Sequence, residues 1–278
     1  MRIQHRLSVE GSDRGTGYNM SCKLIRRGDT LFVGWLDAPA GKGNQARIML
    51  GVCDVKTGEM RKAFQLGGGI DNHCGPAMAL DGNGRLHVMI GAHHGPFLYR
   101  WSDDPEVEGS WSEPEPLGPL DTYPSMAVDR EGTLHLAFRE RGDRWQLGYR
   151  RKRSGQDWEE HRAMATSPTP GYNHHMQSLT VGPSGTLHLV FQFHYAESGR
   201  AEDCLGRAAV HVQSDDGGDT WFNEDLEVRD PITIETMRPI CHYPEGGDEP
   251  HGVRVGNHVV DADNHPWFFS SLPEKQGG

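Results

Sequence analysis

Ser125-Met-Ala-Val-Asp-Arg-Glu-Gly-Thr-Leu-His135 has two close relatives within the same chain, Ala77-Met-Ala-Leu-Asp-Gly-Asn-Gly-Arg-Leu-His87 and Ser178-Leu-Thr-Val-Gly-Pro-Ser-Gly-Thr-Leu-His188. Each copy alternates apolar and polar residues, breaks at a turn rich in Asp and Gly, and resumes into Val88-Met-Ile90, Leu136-Ala-Phe138 or Leu189-Val-Phe191. Alternation of period two on both sides of a tight turn reads as a β-hairpin. Weaker copies begin at Gly28 and at Val259, so about five hairpins are expected.

Working outward, each strong hairpin is followed by a second pair of strand-like segments that ends in a polar turn with tryptophan: Trp101 to Trp111, Tyr149 to Trp158 and Ala208 to Trp221. Four strands in roughly 45 to 55 residues is the size of a propeller blade. The expected fold is therefore all-β, a β-propeller of four-stranded blades, with residues 1–278 forming one domain. The last of the polar turns, Ser214-Asp-Asp-Gly-Gly-Asp-Thr-Trp221, is a complete Asp-box. Its Ser and Asp side chains suit a tight turn, its glycines permit positive φ and its tryptophan suits packing between sheets, so it reads as a structural element. The fifth hairpin lies near Gly278, two strands short of a blade. Either Arg2 to Val9 completes that blade or the chain is part of a larger propeller; the second is favoured because propellers avoid open sheet edges.

Composition agrees with many short strands: 36 glycines and 17 prolines are spread between apolar runs. No stretch approaches the ~18 apolar residues of a membrane span, and Met1 to Gly11 lacks the apolar centre of a signal peptide. A net charge of −11 repels nucleic acid and acidic polysaccharide alike, so an anionic ligand must meet a local basic site. Tyr149-Arg-Arg-Lys-Arg153 reads as a solvated outer strand rather than a nucleic-acid patch. The five cysteines form no CxxC pair and are odd in number, which argues against a full disulfide framework. Phosphate loops, dinucleotide fingerprints and nucleophile elbows are absent from the sequence. A monomer without nucleic-acid or membrane partners is expected.

The inner strands of a propeller converge on its axis, so residues just before the first strand and just after the second face a shared canyon. Aligning the repeats sets His73 level with Asp121 and His174, with Tyr123 two residues beyond Asp121. His93, Arg141 and His194 each stand six residues beyond the repeated histidine, and Arg139 four beyond. His73, His93, Tyr123 and Arg139 together have the parts for β-elimination at a uronate. An arginine holds the carboxylate and the charge that develops on it, while histidine and tyrosine can take the C5 proton and protonate the departing O4. His87, His135 and His188 recur in mid-strand and are assigned to structure.

Asp71-Asn-His73-Cys-Gly-Pro76, Gly91-Ala-His-His94, Thr122-Tyr-Pro124 and Phe138-Arg139 resemble the ulvan lyases and related lyases with Asp-box (BNR) repeats, a likeness covering roughly residues 17 to 270. It implies a seven-bladed propeller that cleaves a uronic-acid-containing, ulvan-like polysaccharide by β-elimination. His73 and His93 would be the catalytic histidines, Tyr123 the acid or base and Arg139 the carboxylate neutraliser, with His94, Arg141 and His174 as substrate contacts. Which of His73 and Tyr123 abstracts the proton stays open. The resemblance also implies a secreted or periplasmic protein and catalysis without a cofactor.

A structural zinc site is a further expectation. His194 ends one strand, Cys204 begins the next, and Cys241-His242 lies in a loop returning toward the same end. Thiolate with imidazole suits Zn²⁺, and similar lyases carry a structural zinc. Two other functions compete with the lyase. A sialidase-like glycoside hydrolase would need paired carboxylates, for which Asp121 and Glu140 are available, or a tyrosine with an arginine cluster. A non-catalytic glycan-binding propeller would need neither.

Overall fold

The structure, a computed structural model, describes residues 4–16, 21–39, 45–173, 176–229, 231–242 and 252–271. It is all-β: among the described residues the only helical turns are two short 3-10 segments, Glu108–Ser110 and Ala201–Asp203. The chain divides into two compact units, Met1–Gly132 and Thr133–Gly278.

In the first unit, β1 (Leu24–Arg27), β2 (Thr30–Asp37), β3 (Ala46–Asp54) and β4 (Met60–Gly69) form an antiparallel sheet in chain order. The β1–β2 hairpin turns at Gly28, where φ is +60°. A second run pairs β5 (Ala77–Leu80) with β6 (Leu86–Ile90), β6 with β7 (His93–Ser102) and β7 with the long β8 (Glu115–Val128). Phe32, Ile48, Leu50, Val52 and Val88 are fully buried in one apolar cluster, so the inward-facing residues of the strands supply the core. Leu7 packs against Val33, Trp35 and Cys53, and His5 contacts the carbonyl of Thr57, which is where the described part of the Arg2–Val9 segment lies.

In the second unit, β9 (Leu134–Glu140), β10 (Gln146–Lys152) and β11 (Arg162–Thr166) pair in sequence. Next come β12 (Gln177–Val181), β13 (Leu187–Tyr195), β14 (Leu205–Ser214), β15 (Phe222–Asn223) and β16 (Leu226–Glu227), again antiparallel and in order. The short β17 (Cys241–His242) adds to β14 at Ala208 and Ala209. The hairpin β18 (Arg254–Val260) and β19 (Pro266–Ser271) completes the unit, and Val253 and Val255 pack with Val190 and Ala209. The first and third strong repeats thus form the hairpins β5–β6 and β12–β13, while the second spans the end of β8 and the start of β9.

The repeated mid-strand histidines are buried and bonded to the next strand. His87 Nδ1 lies 2.7 Å from the hydroxyl of Tyr99, His135 Nδ1 2.8 Å from that of Tyr149, and His188 Nδ1 3.1 Å from His211 Nε2. In the Asp-box, the Ser214 hydroxyl accepts from the Gly218 N–H, and Asp216 accepts from Thr220. Trp221 is fully buried edge-on to Tyr149 at 5.1 Å. A Cβ on Gly218 would meet the Tyr149 hydroxyl at 2.0 Å, so close approach as well as φ of +87° requires glycine there.

The basic run 149–153 differs from expectation. Arg150 and Arg151 are buried, Arg150 over the Phe138 ring and Arg151 in ion pairs with Glu159 and Asp219. Period-two burial draws the stems inward, and acidic neighbours neutralise the heads of Arg151 and Arg153. All five cysteines are free thiols.

Candidate active site

Two loops of the first unit converge. One joins β4 to β5 and carries Asp71 and His73; the other joins β6 to β7 and delivers His93 and His94. They touch backbone to backbone: a Cβ on Gly91 would come within 2.4 Å of the Gly75 carbonyl oxygen. Glycine at position 91 is what lets the two histidine-bearing segments meet.

Asp71 ties them together. Its Oδ1 accepts the backbone N–H of His73 at 2.8 Å and lies 2.9 Å from His73 Nδ1, while its Oδ2 lies 2.6 Å from His93 Nδ1. Burial would raise the Asp71 carboxyl, but hydrogen bonds from His73 and His93 outweigh it and hold the group below its ordinary value. An ionised carboxylate only accepts, so both Nδ1 atoms carry the proton and each ring keeps Nε2 for other partners. The two imidazoles stack with centroids 4.0 Å apart and planes 23° from parallel. Burial, then the adjacent His93, lowers the pKa of His73, against the opposing pull of Asp71.

Tyr123 joins from β8. Thr122 pairs with His93 across the strands, and the Thr122 hydroxyl accepts the His94 backbone N–H at 3.0 Å. Tyr123 is thereby set with its ring 6.0 Å from that of His73. His94 and Tyr123 both adopt φ near +60°, a region costly for residues with bulky side chains. Such strain persists where surrounding contacts over-determine it, which is common at functional sites. The His94 ring lies 4.3 Å from that of His93.

Sequence reasoning missed two members of this cluster. Asp71 stood inside the motif without a role. Arg14 comes from a segment held along β2 by the bonds Ser12 N–H to Leu36 O and Leu36 N–H to Gly15 O; Asn72 also donates to Asp13. That docking brings Arg14 Nη1 to 3.3 Å from His73 Nε2. Beside the cluster, a cavity of about 170 Å³ is lined by His93, Gly91, Pro96 and Ile70, and Gly68 to Ile70 also border a larger cavity of about 560 Å³ reaching Gln45 and Arg47.

Arg139, Arg141, His174 and Glu140 belong to the second unit. Arg139 ends β9 in the second unit, 1% exposed, with its guanidinium 4.8 Å from the Trp145 ring and Nη1 donating to the Tyr172 hydroxyl at 3.2 Å. Arg141 is exposed beside Trp145. His174 lies outside the described residues. Asp121 is fully buried against Gly118, and Glu140 is taken up by His161 and Gln146, so neither carboxylate is presented as a hydrolytic group.

The expected zinc ligands His194, Cys204, Cys241 and His242 do not converge among the described residues. His194 lies on β13 and Cys241-His242 on β17, with β14 between them, so about two interstrand spacings, roughly 10 Å, separate the backbones. Cys204 Sγ donates to the Arg200 carbonyl at 3.2 Å, and Cys241 Sγ lies 3.8 Å from the Ser270 hydroxyl. Two other groups gather potential ligand atoms within 4.8 Å: Asp71 with His73 and His93, and Asp261 with Asp263 and His265. A metal at the first would have to displace the hydrogen bonds on Asp71. In the second, Asp261 already accepts the N–H groups of its own turn.

A family model described as a BNR repeat-containing family member matches residues 32–269. No curated protein matches the chain. Among solved structures, an ulvan lyase of a new polysaccharide lyase family, bound to a GlcA(1-4)Rha3S saccharide, superposes with a TM-score of 0.75 at 15% identity, covering 97% of this chain and 68% of its own. A second polysaccharide lyase gives a TM-score of 0.54 at 14% identity, covering 84% and 61%. A Hadza microbial sialidase gives 0.52 at 16%, covering 96% and 55%. At these identities the likeness is one of fold.

Proposed function

The chain belongs to the BNR repeat-containing family, and from that footing we propose that it is a polysaccharide lyase cleaving a uronic-acid-containing, ulvan-like polysaccharide by β-elimination. The observation that carries the reading is the pair of stacked histidines bridged by Asp71 beside Tyr123. In β-elimination a base takes the C5 proton, the C4–O4 bond breaks, a C4–C5 double bond forms, and an acid protonates the departing O4. The lowered pKa of His73 favours a neutral ring at pH 7, with Nε2 as a lone-pair site. His73 and Tyr123 share the two proton transfers, and His93 completes the pair by donating to Asp71 and presenting Nε2 to the sugar.

The substrate carboxylate needs a cation, because charge develops on it as the C5 proton leaves. Arg139 takes that role on the order of the motifs, and Arg14 is the guanidinium beside His73. The substrate contacts of His94, Arg141 and His174, closure of residues 1–278 into one propeller domain, a monomeric state and an extracytoplasmic location belong to the same proposal. Incubation with ulvan and with glucuronan, followed by ultraviolet absorbance of the unsaturated uronate, tests it. Reducing ends without that chromophore would indicate a hydrolase such as the sialidase reading, and no product from folded protein would indicate a binding module.

A further inference from the structure

We infer that the second unit carries a subsite for an anionic pyranoside, with Trp145 and Tyr172 as its platform and Arg141 as its cation. The inference deepens the glycan-acting function proposed above and rests on it. Trp145 and Tyr172 are half-buried, with ring centroids 4.6 Å apart and planes inclined at 49°. Beneath them Arg139 is buried, its guanidinium carbon 4.8 Å from the Trp145 centroid and 5.4 Å from that of Tyr172. The hydrogen bond from Arg139 to the Tyr172 hydroxyl pins the second ring. The platform is therefore held in place before any ligand arrives, which lowers the cost of ordering it on binding.

Several arginines of the unit are matched by acids, Arg151 by Glu159 and Asp219, Arg238 by Glu224 and Asp225, Arg229 by Glu227, and Arg144 and Arg162 are taken up by backbone carbonyls. Arg141 is exposed 5.8 Å from the Trp145 centroid and forms no ion pair among the described residues. An exposed guanidinium without an ion pair beside an aromatic pair, in a protein of net charge −11, makes a local basic site of the kind an anionic glycan requires. The apolar face of a sugar ring covers the aromatics, and the guanidinium fork accepts a carboxylate or a sulfate ester.

The test uses the full chain carrying His93→Ala, which the proposed mechanism makes inert, so binding is read without turnover. Glucuronan oligomers (carboxylate only), carrageenan oligomers (sulfate only) and dextran (uncharged) are titrated by calorimetry and tryptophan fluorescence. Arg141→Ala, an exposed substitution, should weaken binding of an anionic series about tenfold, the loss of one charge-assisted contact. Trp145→Ala should weaken it severalfold, and added salt should weaken it in the parent protein. The series that loses affinity identifies carboxylate or sulfate as the recognised group. Absence of binding by both anionic series, or unchanged affinity in both folded variants, overturns the inference. Because binding is measured directly, binding of this kind by the His93→Ala chain, with no unsaturated uronate formed by the unsubstituted protein, sinks the lyase reading and leaves the subsite. A lyase whose KM ignores both variants does the reverse.

Discussion

Asp71→Asn removes one charge and turns one hydrogen-bond acceptor into a donor while keeping the size of the side chain. Its consequence follows from three contacts: the His73 N–H at 2.8 Å and His73 Nδ1 at 2.9 Å on Oδ1, and His93 Nδ1 at 2.6 Å on Oδ2. Two donors need Oδ1, so an asparagine keeps its carbonyl oxygen toward His73 and presents its NH₂ to His93. Two N–H groups cannot face each other at that distance, and His93 must move its proton from Nδ1 to Nε2. Each hydrogen bond to the charged carboxylate contributes about 1.5–3 kcal/mol to holding the rings, and one of the two side-chain bonds reverses polarity. If His73 and His93 carry the proton chemistry, kcat falls by about 10²-fold or more, within the ~10²–10⁴ range of a positioned acid or base. The loop is partly open to water, so the stability cost stays near ~1–2 kcal/mol. Formation of unsaturated uronate measures the rate, a thermal melt the stability, and the ring nitrogen resonances of His93 the tautomer. A kcat within about threefold of the parent, with the Nδ1–H form of His93 retained, would refute the reasoning.

Other outcomes follow from the same structure. Since the His73 pKa lies below its ordinary value, the acid limb of the lyase pH profile should fall below the ~6.5 of an unperturbed histidine, and a limb above that value would contradict the assignment. In the second unit, burial first and neighbouring histidines second depress His211 to about 4 and His258 to about 3. Above pH ~6.5 folded and unfolded states are both neutral at these sites; below it the unfolded chain takes up protons that the folded chain refuses. Thermal stability should therefore decline from pH ~6.5 toward 4, and His258→Gln should flatten that slope, read from melts across the range. Trp221→Ala should cost about 3–5 kcal/mol by emptying a fully buried site, seen as a lowered denaturant midpoint. Asp216→Ala should cost about 1–3 kcal/mol through the Thr220 N–H and Ser214 hydroxyl it leaves unpaired.

The hairpins were legible because their information is local. Alternation and Asp/Gly turns mark β5–β6 and β12–β13 directly, and even the weak copies at Gly28 and Val259 mark real hairpins. His73, His93 and Tyr123 were legible through register, since strand pairing puts Thr122 opposite His93. The role of Asp71 was not, because it depends on two loops meeting at Gly75 and Gly91, a tertiary contact that no spacing records. Arg14 was missed for the same reason: its segment has no periodicity and owes its place to bonds with Leu36. Spacing gave no access to the strand order around the presumed zinc ligands, where β14 stands between His194 and Cys241-His242. The buried Arg151 shows that a run of basic residues reveals charge but not the acids that will neutralise it.

The proposed proton-transfer apparatus of Asp71, His73, His93 and Tyr123 is tested by ultraviolet absorbance during incubation with ulvan, compared among the parent protein, Tyr123→Phe and His73→Gln. An unsaturated uronate product is expected from the parent, with a loss of about 10²-fold or more in both variants, each folded as judged by thermal melting. Saturated reducing ends in place of that product, or full activity in either variant, would contradict it.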